Sequence, residues 1–135
     1  MTLNKELAKV LDSYKSALSD WDSNDAKVVL FNSDGLMIAN SSNTNNEYAD
    51  KISAYLYGCY RKIEACYTEL SEEQSNKEPL TITMSSDEPS KYARITKVTD
   101  DIYFAVIANK THTIGLASIF AEDTMEDIRQ LFLNY

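Results

Sequence analysis

His112 is the only histidine in the chain, and threonines stand on both sides of it. Acid–base or nucleophilic catalysis needs a titrating group beside an acid or nucleophile that exchanges a proton with it. The residues next to His112 supply neither, so the histidine reads as a solvated loop side chain. The glycines are Gly35, Gly58 and Gly115, and no Gly-Lys-Ser/Thr run occurs. A phosphate-cradling loop of the nucleotide-hydrolase kind is therefore missing. The expectation is a protein with no catalytic residues, one that is not an enzyme.

Metal and redox chemistry fare no better. Glu122, Asp123, Glu126 and Asp127 recur at four-residue steps, but a metal site would need further ligands from elsewhere, and such runs are usually solvated helix faces. Cys59 and Cys66 lack zinc spacing. Seven residues apart on a helix they lie about 10 Å from one another, too far for a disulfide. They read as buried thiols in a reducing cytosol. No cofactor is implied. Of the arginines, Arg61, Arg94 and Arg129, Arg61 is the best placed to act on a partner's phosphoryl group, although a plain surface role is far commoner.

The totals narrow the class further. With 135 residues and 44% hydrophobic content, the chain suits one domain, 1–135, with a real core. Its formal net charge of −8 and scattered lysines argue against a nucleic-acid partner. The first residues carry no signal core, residue 2 is not glycine, and no apolar run approaches membrane-spanning length. A cytoplasmic chain with no direct membrane insertion is expected.

Leu3, Leu7, Val10, Leu11, Tyr14, Leu18 and Trp21 recur at helical spacing, giving a first helix over 3–21. Two apolar runs flank Asn32-Ser33-Asp34-Gly35, where glycine suits a tight reversal, and together they predict a β-hairpin. A helix over 47–70 follows. Ile52, Leu56, Cys59, Ile63, Cys66 and Leu70 step by fours and threes along it, which predicts one apolar seam facing the core. Leu80, Ile82 and Met84 alternate with Thr81, Thr83 and Ser85, as in a half-buried strand. A weaker strand runs through Tyr92, Arg94, Ile95 and Val98. Residues 102–108 are almost continuously apolar, as in a central strand covered on both faces. Leu116, Ile119, Phe120, Ile128, Leu131 and Phe132 mark a terminal helix. The order is α-β-β-α-β-β-β-α, in a single α/β (α+β) domain.

Over nearly the whole chain this order resembles the roadblock/dynein light chain family. The residues that carry the likeness are the hairpin Val28 to Ser41, with its Asp34-Gly35 turn, and the segment from Tyr103 through Lys110 to Ile114-Gly115-Leu116. The resemblance implies a five-stranded antiparallel sheet in the order 2-1-5-4-3, with the central helix on one face and the terminal helices on the other. It also implies a homodimer, or a heterodimer with a second roadblock protein, that binds a small Ras-like GTPase as scaffold or regulator. In such dimers the strand at Leu80, Thr81, Ile82, Thr83, Met84 and Ser85 pairs with its copy while the central helices pack alongside. The chain departs from the family in carrying five tyrosines on its central helix, Tyr48, Tyr55, Tyr57, Tyr60 and Tyr67.

One face of that helix exceeds background. With Ile52 towards the core, 100° per residue places Ala54, Gly58, Arg61 and Ala65 opposite, with Tyr57 and Tyr60 to one flank. A solvated face should be charged and long-chained. Small residues instead permit close approach of another protein, and tyrosine is favoured at interfaces. Ala54, Tyr57, Gly58, Arg61 and Ala65 are therefore the candidate platform for the GTPase. Competing readings are a small-molecule sensor of PAS or GAF type, which requires a hollow pocket, and a profilin-like cytoskeletal binder.

Overall fold

The structure, a computed structural model, describes residues 2–18, 26–42, 44–70, 80–87, 90–108 and 113–134. Three helices, α1 (Leu3–Leu18), α2 (Asn46–Leu70) and α3 (Thr113–Asn134), accompany five strands: β1 (Lys27–Asn32), β2 (Met37–Asn40), β3 (Thr81–Asp87), β4 (Ser90–Thr99) and β5 (Ile102–Ala108). The strands form one antiparallel sheet in the order β2-β1-β5-β4-β3. The element order is that expected from the residue pattern, and the sheet order is that implied by the resemblance. Trp21, Pro79 and His112 lie outside the described residues.

The β1–β2 hairpin closes where the Asp-Gly pair predicted. Gly35 takes a φ of 77°, a backbone region open to glycine without strain. The Asn32 side chain accepts hydrogen bonds from the Asp34 and Leu36 amides at 2.9 and 3.1 Å, fixing the reversal. A bulge between Leu30 and Phe31 shifts the register, so that Phe31 pairs with Met37.

Alternation along the strands builds two cores, one on each face of the sheet. Val28, Leu30, Phe104 and Val106 point to one side, where Leu7, Leu11, Tyr14 and Leu18 of α1 and Ala117, Ala121, Met125 and Ile128 of α3 cover them. Val29, Phe31, Ile95, Tyr103 and Ala105 point to the other, beneath Ala49, Leu56 and Tyr60 of α2. Within the first core, the Tyr14 hydroxyl donates to the Ala117 carbonyl at 2.8 Å and ties α1 to α3. Both sides of β1 and β5 are thus dry, which accounts for their continuous apolar sequence. Among the described residues, no helix is long and apolar enough to cross a membrane.

Candidate interaction surface

Every residue of the expected platform sits on α2. Asn45 caps that helix, its side-chain oxygen accepting from the Glu47 and Tyr48 amides at 2.8 and 3.2 Å. Ala49, Ser53, Leu56 and Tyr60 are buried and set the phase of the helix on the sheet. That line is rotated by roughly 70° from the seam expected in the sequence, at 100° per residue. Only Leu56 belongs to both.

The seam therefore needs correcting. Ile63 is 39% and Leu70 78% exposed, while Cys59 and Cys66 are exposed rather than buried thiols. The physical reason is that α2 is apolar on more than one side. Small Ala49 and Ser53 let the backbone lie close to the sheet, and Tyr60 reaches beneath it. The larger residues of the seam are left as a strip along one flank, with Tyr55 62% and Tyr67 47% exposed.

Ala54, Gly58, Arg61 and Ala65 are all exposed. Among the described residues, a Cβ added at Gly58 would meet nothing within 4 Å, so no contact there requires the glycine. The hairpin turn abuts Ala54: a Cβ on Gly35 would lie 3.5 Å from the Ala54 Cα and 3.4 Å from Tyr57 Cδ2. Tyr57 is half-buried, its ring edge-on to Tyr103 at 5.5 Å. Tyr60 is no part of the surface. It is fully buried, and burial, with the Glu64 charge adding to it, pushes its phenol pKa well up.

Arg61 is held in place. Its Nη1 donates to the Tyr57 hydroxyl at 3.1 Å, and its Nε lies 4.0 Å from Glu64 Oε1. Glu64 in turn takes Lys97 of β4 at 2.9 Å through Oε2. Burial acts to lower the Lys97 pKa, but the bond to Glu64 and the Tyr103 phenol outweigh it, leaving it above its ordinary value. The Lys97 ammonium also lies 5.8 Å from the Tyr103 ring centroid and 5.9 Å from that of Tyr60. Sequence reasoning missed Lys97. Its signal was parity, since it sits two residues after Ile95 and so on the α2 face of β4.

Among the described residues, β3 pairs with β4 alone, at one end of the sheet. Ile82 is buried, Leu80 and Met84 pack towards the α2 side, and Thr81, Thr83 and Ser85 are exposed. The expected edge segment is where the sequence put it. Among the described residues, no three His, Cys, Asp or Glu side chains gather in a way that could hold a metal ion.

A five-stranded antiparallel sheet in this order, with one long helix on one face and two on the other, is the roadblock fold. Solved structures match it over nearly the full chain. MglB of Myxococcus xanthus is similar at a TM-score of 0.73, over 96% of this chain and 90% of that one, with 14% identity. The gliding protein MglB from Thermus thermophilus gives 0.74 over 100% and 94%, with 9% identity. A Roadblock/LC7 domain from Streptomyces avermitilis gives 0.65 over 91% and 98%, with 17% identity. At these identities the likeness is one of fold. No family model and no curated protein sequence matches the chain.

Proposed function

We propose that this chain is a non-catalytic, dimeric, cytoplasmic module that binds a small Ras-like GTPase and scaffolds or regulates it. The observation that carries this reading is Gly58. It sits in mid-helix on a solvent-facing side of α2, with open space where a side chain would stand. Glycine there costs roughly 1 kcal/mol against alanine, and no contact among the described residues offsets it. A surface that must receive a flat partner at close range supplies the missing reason. Exposed Ala54 and Ala65 continue the low relief, while Tyr57 and the tethered Arg61 offer buried area and a preset charge.

Two features support the dimeric part of this reading. Among the described residues, the Thr81–Ser85 part of β3 pairs with β4 alone, and a sheet edge of this kind invites a further strand. Tyr55, Cys59, Ile63, Cys66 and Leu70 form an uncovered apolar strip along α2. A second copy would pair with β3 and lay its own α2 against that strip, and a second roadblock protein would serve in its place.

The test changes Gly58 or Ala65 to Asp and measures capture of nucleotide-loaded Ras-like GTPases from the source organism, with light scattering and melting in parallel. Binding should be lost because the added charge must be desolvated, whereas dimer and melting temperature should stay, within about 0.5 kcal/mol for a surface site. If Gly58→Asp unfolds the protein or splits the dimer, the face is not a partner platform. The purified protein should hydrolyse neither GTP nor ATP, and His112→Ala should change neither folding nor binding.

A further inference from the structure

On the face of the sheet away from α2, the two terminal helices leave a trough of about 450 Å³ between them. Its lining runs from Glu6 to Ala17 on α1 and from Phe120 to Asn134 on α3. At 1.5 Å per residue that is roughly 16–21 Å, three to four helical turns. So modest a volume spread over such a length makes a shallow channel shaped for a rod. Val10, Tyr14, Phe120 and Leu131 give it an apolar lining, and Phe120 is 36% exposed.

The rim is acidic, and part of that acid is unmatched. Glu122 and Glu126 lie outside the trough, on the side of α3 turned to β4, and share Arg129 at 3.5 and 3.1 Å. Asp123 and Asp127, one turn apart and lining the trough, have no ion-pair partner among the described residues. Like charges at four-residue spacing repel, so their pairing brings α3 no benefit of its own. Across the channel Lys9 stands 3.6 Å from Glu6. Among the described residues the lining thus sets one cation, Lys9, against the acids Glu6, Asp123 and Asp127.

We propose that this trough docks a basic amphipathic helix of another protein, its apolar stripe on Val10, Phe120 and Leu131 and its lysines or arginines against Asp123 and Asp127. Charge complementarity selects this occupant. An anionic membrane would be repelled, and a second copy would bring the same acids, from a chain already at −8. An apolar stripe at three- and four-residue steps fits a channel of this length, the common helix-in-groove arrangement. Because α2 covers the opposite face, this site and the proposed GTPase platform can be occupied at once, and neither depends on the other.

The test titrates the isotope-labelled 135-residue chain with a synthetic helix of about 14 residues, leucine along one stripe and lysine elsewhere. A second peptide carries glutamate in place of lysine. The lysine peptide should bind with amide shifts centred on Val10, Phe120 and Leu131, and the glutamate peptide should not. Asp123→Asn with Asp127→Asn should weaken binding about tenfold. Glu47→Gln with Asp50→Asn, an equal charge loss on exposed positions of α2, should leave it within about twofold. The proposal is overturned if the lysine peptide shifts nothing, if the shifts fall on α2 or β3, if both peptides bind alike, or if both double variants lose affinity equally.

Discussion

The Tyr60 hydroxyl donates to the Leu80 carbonyl at 2.7 Å, pinning the middle of α2 to the residue that leads into β3. The same ring lies edge-on to Tyr103 at 5.1 Å. One side chain thereby fixes the helix bearing the candidate platform relative to β3. Any partner that bridges the two surfaces meets them at a set spacing.

Tyr60→Phe keeps the ring and removes only the donor. It should cost about 1 kcal/mol, the usual net worth of one such bond, and lower the melting temperature by roughly 2–6 °C. Faster amide exchange along β3 should accompany the loss. Unchanged exchange there would show that the bond does not tether the strand.

The uncovered strip on α2 is expected to hold the dimer. Wild-type protein should scatter light as a dimer at tens of micromolar, roughly where a standard-size interface persists. Ile63→Asp should convert it to a folded monomer, because Ile63 is 39% exposed and lies outside the main contact with the sheet. A variant that stays dimeric would move the interface away from the strip.

Alkaline pH should unfold the protein for a stated reason. Burial raises the phenol pKa values of Tyr14, Tyr60, Tyr92 and Tyr103 above the ordinary value of about 10. Near pH 10 the unfolded chain releases these protons while the folded chain keeps them. The stabilisation is complete below about pH 10 and is lost as pH climbs through the raised values, and Lys97 has the same sign. The melting temperature should therefore fall steeply above about pH 10. Absorbance should show the buried tyrosines ionising only as the chain unfolds. Tyr14→Phe, which keeps the ring beside Phe104, should flatten the fall.

The sheet was readable because strands announce themselves by alternation. Leu80, Ile82 and Met84 could only face one way, and the dry run 102–108 could only be central. The phase of α2 was not readable. Its choice between Cys59 and Tyr60 depends on the sheet below, and the small residues that approach that sheet, Ala49 and Ser53, carry almost no hydropathy signal. The same holds for α3, which buries Ala117 and Ala121 and leaves Ile119 68% exposed. Gly58 and Ala65 kept their exposure because they lie far from either choice of core direction. Arg61 is exposed and tethered within α2 itself, by Tyr57 and Glu64, but the link from Glu64 on to Lys97 needed β4 in three dimensions.

From Ala65 to Leu70 every residue of α2 is exposed, and no basic side chain stands in the last turn. A helical end this short has little of its own to keep it wound in water. In a free protomer its amides should trade hydrogen for deuterium at the pace of a fraying terminus, and they should slow sharply once a neighbour lies against them. The tail of α2 is thus a gauge carried by the protein itself, able to report assembly at native concentration with no label attached.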